Sequence, residues 1–165
     1  MNLLANFAAI SAFAFDIDGV MTDNTIQVTE TGELLRTMHI RDGYALQWAI
    51  KQGYPIAIIT GGSSQGVIAR LQKLGIQAIF SGVTDKLTVL QTWCAEQQIN
   101  PDEVLYMGDD IPDIAPMQAV GLPTCPADAC SETLQLAKYV SPIAGGKGCV
   151  RDVIEKVLKL QGKWT

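Results

Sequence analysis

The chain has 165 residues, of which 48% are hydrophobic and 18% are charged, and its formal net charge at pH 7 is −5. This length suits one domain with a substantial core, and this composition excludes intrinsic disorder. The acidic balance, together with the lack of a long basic run, argues against a nucleic-acid-binding groove.

Short apolar runs alternate with segments of helical period along the chain. The predicted strands are Ala12–Phe15, Pro55–Ile59, Gln77–Phe80, Val104–Met107 and Tyr139–Val140. Apolar residues at helical spacing predict helices at Gly43–Gln52, Ser64–Leu74, Leu87–Gln97 and Lys147–Leu160. This alternation predicts an α/β fold with a parallel sheet between helices, and ligands of such sheets bind at the carboxyl ends of the strands.

One segment interrupts the alternation. Thr25–Val28 and Leu34–Ile40 flank the turn residues Thr29–Gly32, which predicts a β-hairpin insertion at about residues 24–40. The exposed strand edges of such a hairpin need covering, and pairing with another subunit is one way to cover them. We therefore expect a single domain over residues 1–165 with one hairpin insertion.

The sequence also predicts the cellular environment. No stretch is long enough to span a bilayer, and the first seven residues lack the basic start of a signal peptide. The four cysteines lie without zinc-binding spacing at Cys94, Cys125, Cys130 and Cys149. We interpret them as free thiols of a reducing compartment and expect a cytoplasmic protein.

Two acids, Asp16 and Asp18, follow the first predicted strand at the start of a glycine loop. Residues two apart on a strand point in similar directions, so these carboxylates repel one another unless a cation or a proton lies between them. Bound Mg²⁺ would relieve the repulsion and leave one carboxylate free to attack a phosphorus atom. The plain alternative is that both acids are turn residues.

Polar residues also follow the next three strands, at Thr60, at Lys86 and in the acidic run Gly108–Asp113. Parallel strands bring their carboxyl ends to one edge of the sheet, so we expect these groups to meet Asp16 and Asp18 there. Each has a structural alternative, because Asp and Thr also cap helices and Lys is usually solvated. Asp113 could interact only with the dipole of the helix that it precedes.

These motifs resemble those of the haloacid dehalogenase superfamily of phosphotransferases, over about Phe13 to Arg151. Finer features resemble its small branch without a cap domain, the phosphatases of 3-deoxy-D-manno-octulosonate 8-phosphate (KDO 8-phosphate). These features are the hairpin, Arg41–Tyr44 and Ala144–Gly148 with Arg151. The resemblance implies a Rossmann-like fold, a Mg²⁺ cofactor, a homotetramer and hydrolysis of KDO 8-phosphate to KDO and phosphate in lipopolysaccharide precursor synthesis.

The resemblance implies a role for each core motif. Asp16 would be the nucleophile that forms an aspartyl-phosphate, and Asp18 would be the general acid and then the general base. Thr60 and Lys86 would hold the phosphoryl oxygens. Asp16, the backbone carbonyl of Asp18 and Asp109 would bind Mg²⁺.

The implied substrate contacts are Asp18, Arg41, Asp42, Gly43, Gln47, Thr60, Gly61, Arg70, Lys86 and Asp110. Asp42 could instead be only the N-cap of the helix that follows it, and we interpret His39, the one histidine, as structural. The resemblance also implies that a Gly-rich C-terminal tail, at about residues 143–165, reaches a neighbouring active site. Its implied contacts are Gly145, Gly146, Lys147 and Gly148.

Two positions depart from the family pattern. Gln47, one turn after Asp42, stands where a longer cation is expected. Many of these phosphatases carry an arginine after Thr-Gly that helps to hold the substrate, and this chain has Gly62 there. Arg70 and Lys73 on the following helix are the nearest replacements in the sequence. The loss of a bidentate cation affects sugar specificity rather than phosphoryl chemistry, so a nine-carbon keto-acid phosphate of the KDN 9-phosphate type is an alternative substrate.

A phospho-receiver signalling domain is an alternative of another class, because it also combines acids, a threonine and a lysine on a parallel sheet. Its phosphoacceptor aspartate would lie at a middle strand, where this chain has Thr60. Its lysine would also come last, whereas Lys86 precedes Asp109 here. The order of the motifs therefore favours the phosphatase.

Overall fold

A sheet of six parallel strands forms the centre of the computed structural model, which describes residues 2–165. The strands of this sheet are β1 (Ala12–Phe15), β4 (Ile56–Ile59), β5 (Ala78–Phe80), β6 (Val104–Met107), β7 (Leu122–Cys125) and β8 (Tyr139–Val140). A separate antiparallel hairpin consists of β2 (Gln27–Val28) and β3 (Leu34–Leu35). The predicted α/β class and the hairpin insertion are thus confirmed.

Seven α-helices connect and cover the strands within the described residues. They are α1 (Leu3–Ala8), α2 (Ile40–Lys51), α3 (Gln65–Lys73), α4 (Lys86–Glu96), α5 (Ile114–Gln118), α6 (Ser131–Leu136) and α7 (Cys149–Leu160). Two 3₁₀-helices lie at Pro101–Glu103 and Ile111–Asp113. Across residues 2–165, no helix combines the length and the apolar character that a membrane crossing requires.

The order of the strands in the sheet is β5-β4-β1-β6-β7-β8, which places β1 between β4 and β6. Phe15 pairs with Ile58 of β4 on one side and with Met107 of β6 on the other, so these three strands end at the same level. Numbered along the sheet's own strands, the order is 3-2-1-4-5-6, the doubly wound Rossmann order. Receiver domains follow the order 2-1-3-4-5, so the topology excludes that alternative.

Alternating side chains of β1 divide the core into two clusters. Phe13 and Phe15 face one cluster, which takes buried residues from α1, α2, α3 and α7. Ala12 and Ala14 face the other, which includes buried residues of α4 and α5. All four are fully buried, so the strand that carries the first acid at its end is held from both faces.

The sequence prediction missed one strand and three helices. Strand β7 contains Pro123, and proline in a predicted strand argues against that assignment because it lacks a backbone N–H. Here β7 nevertheless lies between β6 and β8, and the hydroxyl of Thr124 donates to the carbonyl oxygen of Tyr106 at 3.0 Å. The missed helices α1, α5 and α6 have only five or six residues each, which is too short for a clear helical period.

The hairpin is shorter than the sequence predicted. Its second strand ends at Leu35 rather than Ile40, and His39 is the N-cap of α2. The predicted role of Asp42 as an N-cap is therefore wrong, since Asp42 lies in the first turn of the helix. The hairpin also exposes apolar side chains, with Val28 64% accessible.

The entry into β7 provides a test of this packing. A Cβ atom at Gly121 would lie 1.7 Å from the backbone carbonyl oxygen of Asp102, whereas a Cβ at Gly66 in α3 has no neighbour within 4 Å. We expect Gly121→Ala to lower the free energy of unfolding by about 1–3 kcal/mol, the usual cost of forced overpacking. Gly66→Ala should raise it by about 0.4–1 kcal/mol. Urea denaturation measures both, and equal effects would contradict the close approach of Gly121 to Asp102.

Candidate active site

The first predicted acid lies buried where β1 ends. Asp16 continues the sheet, because its backbone N–H donates to the carbonyl oxygen of Met107 at 3.1 Å. Its Oδ1 accepts the N–H of Ile17 at 2.7 Å, and its Oδ2 lies 2.7 Å from Nζ of Lys86. Both carboxylate oxygens are thus fixed in direction, as an in-line attack on phosphorus requires.

Asp113 joins the lysine to the acidic run. Its Oδ1 accepts from Lys86 Nζ and from the hydroxyl of Tyr106, each at 2.8 Å. Its Oδ2 accepts the backbone N–H groups of Asp109 at 3.0 Å and Asp110 at 3.4 Å. With four donors on two oxygens, the Asp113 carboxylate is a fixed support that orients Lys86 and the loop after β6.

Negative charge exceeds positive charge in this cluster. Burial raises the pKa of Asp16 to about 6 and the pKa of Asp109 to about 7, and the neighbouring Asp113 carboxylate adds to both shifts. Burial also opposes the charge on Lys86, but Asp16 and Asp113 outweigh it and hold the pKa of this lysine above its ordinary value. Lys86 therefore neutralises only part of the charge of the three buried carboxylates. A second cation is needed for all three to be ionised at neutral pH.

The cluster fits a divalent metal ion. One oxygen each from Asp16, Asp109 and Asp113 lies within 4.8 Å of the others. Each oxygen of Asp113 already has two partners, whereas the oxygens of Asp16 have one each, so Asp16 and Asp109 are the carboxylates available to a metal. Carboxylate oxygens are the preferred ligands of Mg²⁺. The amide of Asn24 donates to Oδ2 of Asp109 at 3.3 Å and so orients this ligand.

Thr60 lies at the end of β4, beside the acids. Its backbone N–H donates to the carbonyl oxygen of Phe80 at 2.9 Å, and its carbonyl oxygen accepts the N–H of Val83 at 3.0 Å. Its hydroxyl accepts the N–H of Gly62 at 3.2 Å. The side chain is buried, and Gly61 follows directly, so the loop presents a hydroxyl and backbone groups next to Asp18.

Asp18 forms an ion pair that the sequence did not predict. Its two carboxylate oxygens accept from Nε and Nη2 of Arg36, at 2.6 and 3.0 Å. Arg36 follows β3 in the hairpin and also donates from Nη1 to the carbonyl oxygen of Leu34 at 3.3 Å. The hairpin thus returns to the acidic loop that precedes it.

Among the described residues, the predicted substrate residues of α2 form no hydrogen bond or ion pair with Asp16. Arg41 and Gln47 are exposed, and the structure gives neither of them a hydrogen bond with the acidic cluster within residues 2–165. Asp42 is buried, and its Oδ1 accepts the N–H of Arg151 at 2.8 Å, while burial raises its pKa to about 6. Gly43 is covered by Arg70, whose Nη2 would lie 2.9 Å from a Cβ at that position. Direct substrate contacts by these residues stay a prediction.

The glycines predicted to form a tail pack on the acidic loop of their own chain. A Cβ at Gly145 would lie 2.0 Å from the carbonyl oxygen of Gly19. Gly146 has a φ of 66° and donates its N–H to the carbonyl oxygen of Val20 at 2.9 Å. Gly148 is the N-cap of α7, and Nζ of Lys147 lies 3.6 Å from Asp23. Only glycine permits the close approach of Gly145 to Gly19, and this contact stabilises the loop that follows Asp18.

The structure thus assembles the predicted core set of Asp16, Asp18, Thr60, Lys86 and Asp109 at one edge of the sheet. Asp110 lies beside it as the N-cap of the second 3₁₀-helix, in a reciprocal capping box with Asp113. Arg36, Asn24 and Tyr106 were missed. No local pattern marks these residues, because each reaches the site only through the fold.

Known proteins share the sequence and the fold of this chain. The model of the haloacid dehalogenase-like hydrolases matches residues 39–127. The 3-deoxy-D-manno-octulosonate 8-phosphate phosphatase of Escherichia coli K12 is 36% identical over 162 residues, which are 98% of this chain and 86% of the relative. The chain belongs to the family of 3-deoxy-D-manno-octulosonate 8-phosphate phosphatases. The enzyme of that name from Salmonella typhimurium is 38% identical over 93% of this chain and 82% of its own length.

Solved structures of KDO 8-phosphate phosphatases have the same fold. The Yersinia pestis enzyme has a TM-score of 0.95 and 37% identity, covering 98% of this chain and 87% of its own. The Moraxella catarrhalis enzyme, whose crystal structure is a complex with a magnesium ion, a phosphate ion and a KDO molecule, has a TM-score of 0.93 and 34% identity. The match covers 96% of this chain and 91% of that one.

The raised pKa values predict a pH-dependent effect of Mg²⁺ on stability. Asp16 and Asp109, with pKa values of about 6 and 7, take up protons more readily folded than unfolded, so the metal-free chain loses their contribution as pH rises through that range. Mg²⁺ binds only the ionised carboxylates. Saturating Mg²⁺ should therefore raise the Tm by about 5–10 °C at pH 8 and by much less at pH 5.

Differential scanning fluorimetry at the two pH values measures this effect. Asp109→Asn removes one ligand and should abolish most of the Mg²⁺-induced shift at pH 8. Glu96→Gln, at an exposed acid on α4, is the matched control and should retain it. The same shift at both pH values, or in Asp109→Asn, would contradict the assignment.

Proposed function

We propose that this protein is a Mg²⁺-dependent phosphatase that hydrolyses KDO 8-phosphate to KDO and phosphate. The observation that carries the proposal is the buried Asp16 carboxylate, held by Lys86 beside Asp109 at the carboxyl end of β1. This arrangement supplies a nucleophile, a phosphate-binding cation and a metal site within one buried cluster. The similarity to named KDO 8-phosphate phosphatases over nearly the whole chain supports the choice of substrate.

The first half of the reaction transfers the phosphoryl group to the enzyme. A carboxylate oxygen of Asp16 attacks phosphorus, and the bond between phosphorus and the sugar oxygen breaks. Asp18 gives its proton to the departing alkoxide, so the sugar acid leaves as a neutral alcohol at that carbon. Thr60 and Lys86 hold the phosphoryl oxygens and stabilise the charge of the transition state.

The second half releases phosphate. A water molecule attacks the phosphorus of the aspartyl-phosphate, Asp18 takes a proton from it, and the Asp16 carboxylate is regenerated. Bound Mg²⁺ supplies charge neutralisation of the phosphoryl oxygens, with Asp16, Asp109 and the carbonyl oxygen of Asp18 as the proposed ligands. Lys86 keeps its position throughout, because Asp113 and Tyr106 form a buried hydrogen-bonded support behind it.

The remaining binding residues belong to the same proposal. Gly61 and Asp110 would border the bound phosphate, because they directly follow Thr60 and Asp109 in the chain, and both Gly61 and Arg70 line the larger cavity beside the hairpin. Arg41, Asp42, Gly43 and Gln47 of α2 would contact the sugar acid. The segment Gly145–Gly148 would contact a substrate bound in a neighbouring subunit. Gly62 lacks a cation, so a phosphate of a nine-carbon keto acid is the second candidate substrate.

We further propose a cytoplasmic homotetramer built from the single domain at residues 1–165. The apolar side chains of the hairpin are exposed in the isolated chain, and a subunit interface would bury them. Because residues 2–165 include no cap domain to exclude water from the phosphate pocket, a neighbouring subunit would also enclose the substrate. The four cysteines are free thiols, which suits a reducing compartment.

The nucleophile assignment is tested by Asp16→Asn. The amide keeps the shape of the side chain but cannot form the aspartyl-phosphate, so we expect kcat to fall by about 10³-fold or more. Phosphate release from KDO 8-phosphate, KDN 9-phosphate and hexose phosphates measures activity and substrate choice together. EDTA should abolish turnover by the wild-type chain, and Mg²⁺ should restore it.

The matched control is Asp102→Asn, which changes an exposed acid away from the site and should leave kcat unchanged. Substantial hydrolysis by Asp16→Asn, or full activity with EDTA, would refute the mechanism. A higher kcat/KM for KDN 9-phosphate than for KDO 8-phosphate would replace the first candidate substrate by the second.

The proposed interface is tested by charge substitution on the hairpin. Val28→Glu places a carboxylate on the most exposed apolar position of β2, and we expect it to shift the tetramer towards smaller species. Sedimentation velocity at several concentrations measures the assembly. Glu30→Lys alters charge at the polar tip of the same hairpin and should leave it intact. A tetramer unaffected by Val28→Glu would remove this face of the hairpin from the interface.

A further inference from the structure

Arg36 connects the hairpin to the proposed acid–base residue. Its guanidinium forms two charge-assisted hydrogen bonds with the carboxylate of Asp18, at 2.6 and 3.0 Å. The Arg36 side chain is 10% exposed, whereas that of Asp18 is 36% exposed. The arginine is thus held in the protein while its partner faces the open side of the site. Both oxygens of Asp18 are occupied by this pair.

The guanidinium also lies beside Gly62, the second residue after Thr60 in the phosphate loop. A Cβ atom at Gly62 would be 3.5 Å from Nη2 of Arg36, 3.4 Å from Oδ2 of Asp18 and 3.6 Å from the hydroxyl of Thr60. These are ordinary contact distances, so the guanidinium of Arg36 lies directly against position 62. Arg70 does not lie here, because its guanidinium is over Gly43 on α2.

Arg36 borders two adjoining cavities. The smaller one is also lined by Asp18 and Thr60, and therefore belongs to the phosphate pocket. The larger one, of about 760 Å³, lies between the hairpin and α3. Its cations are Arg36 and Arg70, and its one acid is Glu33. The guanidinium of Arg36 thus lies between the phosphate pocket and the larger cavity, which would hold the part of the substrate beyond its phosphate group.

We propose that Arg36 selects phosphate esters that also carry a carboxylate, and that it exchanges Asp18 for the carboxylate of the substrate on binding. The inference rests on the proposed phosphatase activity and specifies its selectivity. A guanidinium that pairs with one carboxylate through two N–H groups can pair with another in the same geometry. The exchange releases both oxygens of Asp18 towards the leaving group, so a carboxylate-bearing substrate frees the acid–base residue as it binds.

A substrate without a carboxylate cannot drive this exchange. Arg36 then stays on Asp18, and the acid–base residue remains engaged while phosphate occupies the pocket. The selectivity therefore comes from two effects of one side chain, which binds the correct substrate and restrains the wrong one. KDO 8-phosphate, as an octulosonate ester, carries the carboxylate that this arrangement requires.

The experiment compares Arg36→Ala, Arg36→Lys and Arg70→Ala with the wild-type chain in Mg²⁺. The kcat and KM are measured for KDO 8-phosphate, for KDN 9-phosphate and for mannose 6-phosphate, which lacks a carboxylate. Arg36→Ala should lower kcat/KM for the better carboxylate-bearing substrate by about 10- to 100-fold, the usual loss for a hydrogen bond to a charged group. For mannose 6-phosphate it should leave kcat/KM unchanged or increase it. Arg36→Lys should recover part of the loss.

The outcomes separate this inference from the proposed function. If the wild-type chain hydrolyses neither keto-acid phosphate, the proposed function fails. If it hydrolyses one but prefers mannose 6-phosphate, the selectivity proposal fails alone. Equal losses on all substrates would show that Arg36 is only structural, and a carboxylate-selective loss in Arg70→Ala instead of Arg36→Ala would overturn the assignment. Lys51→Ala removes a cation outside both cavities and should leave kcat/KM unchanged for every substrate. Circular dichroism verifies the fold of each variant.

Discussion

The structure of the site depends on one electrostatic constraint, the crowding of buried carboxylates around Lys86. Among residues 2–165, Lys86 is the one buried lysine or arginine, and it contacts Asp16 and Asp113 directly. The sheet makes this crowding possible, because β1 and β6 are neighbours and their ends meet. The net negative charge that remains in this cluster explains why a divalent cation stabilises the folded state as well as taking part in the reaction.

Much of this site could be predicted because its residues follow strands that are easy to recognise. Asp16 and Thr60 come directly after strongly apolar runs, and parallel pairing brings such positions together without further information. The exact limits of the elements were less accessible. Strand β7 was missed because it contains Pro123, and the sequence does not show that the neighbouring strands tolerate a residue without a backbone N–H.

Residues that arrive from a distance were not predictable. Arg36 stands in an exposed, weakly patterned hairpin, and its contact with Asp18 depends on how that hairpin folds back over the sheet. The sequence did reveal that a cation is missing at Gly62, but it indicated Arg70 and Lys73 as the nearest replacements. The structure instead places the guanidinium of Arg36 beside that glycine, with Nη2 3.5 Å from the position of a Cβ atom there.

The contact between the Gly145 region and the acidic loop has a consequence for biosynthesis. Cys149 donates its thiol hydrogen to the carbonyl oxygen of Val20 at 3.1 Å, across 129 positions of the chain. Contacts that close so long a segment form late, because their entropic cost must be met before they add stability. The loop that carries Asp18 is therefore completed only once the ribosome has made almost the entire polypeptide, and a nascent chain has the nucleophile long before it has a finished enzyme.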